Sequence, residues 1–177
     1  AEGVLRNYEG IRKHGGPRTR QKLIMGPWEH GMNTRTLGTV DFGGHALIDL
    51  DSVEARWLDR WVRDNENGIE HEPPVRIFVM GANVWRDEWD WPLARTEETA
   101  FYLTSGGRAN SLFGDGALSD ALPDGAETDG YLYNPENPVP TLGGCVLGAV
   151  AGPQDHTPIE RRDDVLVYTG PELREPL

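Results

Sequence analysis

Apolar and polar positions alternate with different periods along the chain, and the period changes near residue 75. Val4, Tyr8 and Ile11 recur at helical spacing, which predicts a helix over 1–13 with a core section at 4–12. His14-Gly15-Gly16-Pro17 ends it, glycine suiting the position past the last turn and proline the stop. Leu23-Ile24-Met25 is an unbroken apolar run and predicts a strand over 21–25, covered on both faces as in a parallel sheet. Residues 34–50 are glycine-punctuated and read mostly as loop with a short strand.

Asp51-Ser52-Val53-Glu54 has the form of a capping box, with Asp51 as N-cap, and predicts a helix over 51–63. Val53, Trp57, Leu58, Trp61 and Val62 form its apolar face. Tryptophans at this spacing are expected to pack into a core rather than form a ligand platform. From Val75 the alternation has period two. Val75 to Val79 reads as a strand at least partly buried on both faces, with further strands at 99–103, 130–133 and 164–168. Glycine and proline cluster between them, as short-stranded sandwiches require.

The chain has 177 residues and a formal charge of −12. Such a balance argues against nucleic acid and anionic membrane surfaces, both of which attract basic faces. No apolar run approaches the length of a bilayer span. Cys145 is the single cysteine, so no internal disulfide is expected. His14, His45, His71 and His156 occur singly, without the spacing of a zinc site. Asp87, Glu88 and Asp90 lack the alternating loop of a calcium site and read as a salt-bridged turn. Neither a metal nor a cofactor is expected.

The most informative segment is Gly26-Pro27-Trp28-Glu29-His30-Gly31, directly after the apolar run. A strand that stops at a Gly-Pro turn with a histidine close behind is how an α/β-hydrolase presents its catalytic base. The bland reading of His30 is a solvated loop histidine. The functional one is a general base, since an imidazole near its ordinary pKa moves protons both ways at neutral pH.

Gly-Pro-Trp-x-His resembles the cocaine-esterase and X-Pro dipeptidyl-peptidase group of serine hydrolases. The resemblance continues, in order, through 51–63, Val75-Arg76-Ile77-Phe78-Val79-Met80-Gly81, Trp85-Arg86-Asp87-Glu88, Trp91-Pro92, Phe101-Tyr102-Leu103, Tyr131-Leu132-Tyr133, Asn137-Pro138-Val139-Pro140, Gly143-Gly144 and Arg162-Asp163-Asp164-Val165-Leu166. It departs at Asn134-Pro135, where the group has Asp-Pro, and at Asp155-His156, where it has Asp-Gln.

The resemblance implies a C-terminal edge of an α/β-hydrolase domain over 1–72 and the start of an incomplete jelly-roll β-sandwich over 73–177. It makes His30 the base and Trp28 a packing residue beneath the histidine loop, with pocket lining as the alternative. The substrate would be a small-molecule ester, amide or peptide.

The group's nucleophile lies in a Gly-x-Ser-x-Gly elbow, and its acid precedes the histidine. Ser52, Ser105, Ser111 and Ser119 lack that setting, and residues 1–29 contain neither serine nor aspartate. The expected partner is therefore a missing N-terminal portion carrying the serine and the aspartate, and the chain alone is expected to be inactive. A homo-oligomer is compatible with the sequence. Two rivals remain at this stage: a non-catalytic β-sandwich binding module, with Trp85, Trp89 and Trp91 as a platform, and a degenerate hydrolase-like structural subunit.

Overall fold

A computed structural model describes residues 2–125, 127–147 and 151–173. The chain divides into two compact units, Ala1–Thr96 with Cys145–Pro153, and Glu97–Gly144 with Gln154–Leu177. Among the described residues no helix is long and apolar enough to cross a membrane.

The first unit begins with α1 (Glu2–His14), whose last turn carries Arg12, Lys13 and His14, where cations favour the helix dipole. Gly15 N–H closes it on the Ile11 carbonyl at 2.7 Å. Gly15 does not take the left-handed C′ conformation; a Cβ there would collide with that same carbonyl. Tyr8 is the helix residue buried against the sheet.

Strand β1 (Leu23–Met25) pairs in parallel with a strand that sequence reading assigned to the sandwich. A short hairpin of β2 (Thr36–Leu37) and β3 (Val40–Asp41) follows, then a 3₁₀ turn, Gly44–Ala46, and α2 (Leu50–Val62). Next come β4 (Val75–Val79) and β5 (Val84–Glu88). The sheet order is β1-β4-β5, with Leu23 opposite Val75 and Met25 opposite Ile77, and β5 antiparallel to β4. A parallel pair needs a crossover, and α2 lies in that connection.

Val75 to Val79 lies in one sheet with the strand before the histidine, and this compact unit runs on to Thr96. One neighbour of β1 is thus supplied by the chain itself. The other edge of β1 has no partner strand among the described residues.

The pleat of β4 separates two cores. Val75 and Ile77 join Tyr8, Leu23, Leu5, Met25 and Trp91. Phe78 joins Phe42, Ala46, Leu37, Val40 and Trp85.

Helix α2 starts one residue earlier than expected. Its N-cap is Asp49, whose carboxylate accepts from Ser52 N–H at 3.0 Å, so Asp51 sits inside the first turn. None of its residues is buried, and Leu58 and Val62 are well exposed. Val53, Trp57 and Trp61 are half-buried, so the expected core face is only partly covered among the described residues. Trp61 instead lies under the guanidinium groups of Arg20 and Arg60, at 5.1 and 4.8 Å.

In the second unit β6 (Tyr102–Thr104) and β7 (Ala117–Ser119) form an antiparallel pair. Residues 164–168 make no regular strand, but Leu166 and Thr169 bridge to Asn110 and Ala117. The expected strand at 130–133 is irregular, with Tyr131, Leu132 and Tyr133 exposed. A β-prone run is a strand only where a ladder partner exists, and none is present among the described residues. A short helix, α3 (Thr157–Glu160), completes the elements.

The unit is held by Asp129. Its carboxylate accepts from Ser105 Oγ at 2.7 Å, Tyr168 Oη at 2.5 Å and Ala109 N–H at 2.8 Å. Three donors hold the Asp129 carboxyl below the usual range, led by the Tyr168 hydroxyl.

Candidate active site

The site begins where β1 ends. Gly26 follows Met25, and the Trp28 indole lies so close to it that a Cβ would overlap the ring. Pro27 is buried between them. Trp28 Nε1 donates to the Ala46 carbonyl at 3.0 Å. Its ring tilts against Trp85 with centroids 5.5 Å apart; Trp85 meets Phe78 edge-on at 5.3 Å, and Phe78 meets Phe42 at 5.9 Å. Four aromatic rings in such tilted contacts make a stiff floor. Trp28 is therefore half-buried, packed on Trp85 and tied to Ala46, two residues ahead of His30.

His30 lies in a turn closed by Met32 N–H on the Glu29 carbonyl at 3.1 Å, and its side chain is exposed. The turn exits through Met32 and Asn33, both with left-handed backbones, φ 41° and 52°. Asparagine tolerates that region; methionine does so at some cost. The Asn33 amide is tied to one residue by two bonds: Nδ2 donates to the Ile48 carbonyl at 2.9 Å, and Oδ1 accepts from Ile48 N–H at 2.9 Å. Beyond it, Arg35 forks onto the Asp41 carboxylate, which also accepts from Gly43 N–H at 2.8 Å. Those bonds, led by the guanidinium, hold the Asp41 carboxyl below its ordinary range and Arg35 above its own.

The chain's serines are engaged elsewhere. Ser52 Oγ donates to Asp49 at 2.6 Å, Ser105 to Asp129, and Ser119 to the Ala121 carbonyl at 2.9 Å, while Ser111 Oγ accepts from Phe113 N–H at 3.2 Å. The carboxylates of 87–90 do not converge on a cation site. Asp87 pairs with Arg76 at 2.7 Å, Asp90 with Arg12 at 2.8 Å, and Glu88 with Arg95. The close partner of Glu88 is Arg95, with Arg86 at 3.9 Å. Among the described residues no three potential metal ligands cluster.

The three tryptophans of the platform alternative also diverge. Trp85 Nε1 donates to the His45 carbonyl at 2.7 Å, Trp91 packs on the Tyr8–Val75 core, and Trp89 is exposed.

Sequence reading did not find Asn33, the 45–48 segment or the role of Trp85 in the floor. The signal available for the first was an asparagine shortly after Gly31; the other two depend on contacts between residues far apart in the chain.

Comparison with known proteins bears on two different stretches. Residues 67–177 match the family model described as the X-Pro dipeptidyl-peptidase C-terminal non-catalytic domain. That stretch begins after His30. Over 98% of its length the chain is 37% identical to the cocaine esterase of Rhodococcus sp. (strain MB1 Bresler), of which it spans 30%. A putative serine esterase of Mycobacterium bovis is 34% identical over 47% of the chain, which spans 13% of that protein. Among solved structures, an aminopeptidase from a marine sediment archaeon, Thaumarchaeota archaeon, aligns over 91% of the chain and 26% of its own, with a TM-score of 0.67 and 25% identity. The chain thus spans about a third or less of each of these relatives. On the match over most of its length, the chain belongs to the cocaine-esterase and X-Pro dipeptidyl-peptidase family and carries that family's C-terminal domain region.

Proposed function

We propose that this chain is part of a serine hydrolase that cleaves ester or amide bonds through an acyl-enzyme, and that His30 is its general base. The observation that carries this reading is the position of His30: exposed, on a turn past the C-terminal end of a parallel strand, two residues after Trp28, whose ring packs on Trp85. Open α/β sheets bind their ligands at that end of the strands. Similarity to a cocaine esterase along nearly the whole chain, at 37% identity, supports it.

In this reading β1-β4-β5 is the C-terminal edge of an α/β-hydrolase sheet. The free edge of β1 and the exposed Leu58 and Val62 of α2 receive the portion of the protein that holds the serine and the carboxylate. The second unit is the start of a jelly-roll sandwich without a catalytic role, in keeping with the description of the family model.

The His30 imidazole takes the proton from the serine hydroxyl as its oxygen bonds to the substrate carbonyl carbon. It then gives that proton to the departing alkoxide or amine as the ester or amide bond breaks. A water, deprotonated by the same nitrogen, cleaves the acyl-enzyme, and the proton returns to the serine oxygen. The carboxylate would fix the tautomer of the ring.

His30→Ala in the complete protein tests the assignment. Loss of a triad base lowers kcat by about 10⁴–10⁶-fold. A fall under tenfold removes His30 from the mechanism. Labelling the complete protein with a serine-reactive fluorophosphonate separates a working hydrolase from a structural subunit, which would take no label.

A further inference from the structure

The His30 turn is pinned on both sides to one short segment. Trp28, ahead of the histidine, donates to the Ala46 carbonyl, and Asn33, behind it, closes both its bonds on Ile48. That segment is itself fixed, because the Trp85 indole holds the His45 carbonyl and Ala46 is fully buried. The turn between the two anchors is exposed, and no packed core of its own restrains it.

The Asn33 amide meets Ile48 as one strand meets another, donating to the carbonyl and accepting from the N–H. A side chain that donates to and accepts from the backbone of the same residue has one orientation open to it, and so does the backbone that carries it. The left-handed conformation of Asn33 sets the direction in which the chain leaves the turn.

We propose that Asn33 is a positioning residue for the reaction: its two bonds to Ile48, opposed by the Trp28 bond to Ala46, hold the His30 turn where the imidazole meets the serine hydroxyl. The inference rests on the assignment of His30 as general base. Proton transfer needs near-contact geometry, so a turn that wanders by an ångström loses rate without losing substrate binding.

Two variants in the complete enzyme separate positioning from stability. Asn33→Gly keeps a backbone at ease in the left-handed region and removes both bonds. It should lower kcat about 10–100-fold and leave KM within about twofold. Asn33→Asp keeps the acceptor for Ile48 N–H and loses the donor, and its kcat should fall between the two. A lowered melting temperature with kcat unchanged makes the clamp purely structural and overturns the proposal, as does a rise in KM with kcat unchanged. If Asn33→Gly does not fold, Asn33→Asp and Trp28→Phe carry the test, the latter keeping an aromatic ring while losing the bond to Ala46. Full activity in both overturns it. His30→Ala run alongside distinguishes the failures. If it is inactive while the Asn33 variants are normal, the positioning role alone falls; if it is active, the base assignment and the positioning role fall together.

Discussion

Leu23 and Val75 stand opposite each other in a parallel ladder, and both are almost wholly buried, at 3% and 0% exposure. The pair joins the strand that leads to His30 to a strand far along the chain, and Tyr8 covers it from α1. Val75→Ala removes two methyl groups from this contact. We expect a loss of about 1.5–3 kcal/mol in stability, read from urea unfolding of the complete protein. A loss below about 0.5 kcal/mol, the scale of ordinary surface changes, would mean that the ladder is not the core of this unit.

Gly26 is where the strand hands over to the histidine loop. Its missing side chain makes room for the Trp28 indole, which a Cβ would overlap. Gly26→Ala should push the ring off its floor of Trp85 and Phe78. The expected result is a destabilisation of about 1–3 kcal/mol, together with a lower kcat in the complete enzyme. Unchanged kcat and stability would show that Trp28 does not support the loop.

The start of α2 distinguishes two aspartates that look interchangeable in the sequence. Asp49 accepts from Ser52 N–H and from Ser52 Oγ, and these bonds hold its carboxyl below the ordinary range. Asp51 makes no capping contact of this kind. Asp49→Ala should lower the urea midpoint measurably, as loss of a cap does, while Asp51→Ala should leave it nearly unchanged. The reverse order would restore the capping box centred on Asp51.

These aspartates also mark what sequence can and cannot carry. Helix α1, strand β1 and the position of His30 were legible because their apolar periodicity and the Gly-Pro stop are local signals. The register of the cap was not, since Asp49 and Asp51 differ only in which backbone amide each can reach. Strand β5 was missed because Trp85-Arg86-Asp87-Glu88 alternates weakly; it is a strand through its ladder with β4 and the Arg76–Asp87 fork. The 130–133 run was overread, because β propensity says nothing of whether a partner lies beside it. Asn33 escaped notice for the same reason in reverse: its partner, Ile48, is specified only by the folded loop.

Asp129 gives the second unit a dependence on pH. Its folded pKa is depressed by the Tyr168, Ala109 and Ser105 donors, while Tyr168 is raised by the same bond. A depressed carboxyl stabilises fully above its unfolded value, near ~3.9, and the contribution is lost as the pH falls through the lower folded value. The tryptophans all lie in the first unit, so their fluorescence does not report this change directly. Backbone NMR signals of residues 105–109 should lose dispersion on acidification below about pH 4. Asp129→Asn should flatten that acid limb, and Tyr168→Phe should weaken it. An identical acid limb in Asp129→Asn would mean that another carboxylate controls it.

The edge of β1 tests the larger architecture. Leu23 N–H donates to the Pro74 carbonyl at 2.8 Å, toward β4. In an extended strand successive amides point to opposite sides, so Ile24 N–H points to the edge that has no partner among the described residues. If a strand of the serine-bearing portion pairs there, Ile24 N–H is hydrogen-bonded in the complete enzyme. Its exchange with deuterium should then be slowed about as strongly as that of Leu23. In the chain studied alone, Leu23 should remain protected by β4 while Ile24 exchanges much faster. The contrast is internal to one strand, so a general loosening of the fold cannot mimic it. Rapid exchange of Ile24 in the complete enzyme would leave β1 an edge strand and would remove the proposed continuation of the sheet, whatever the fate of His30.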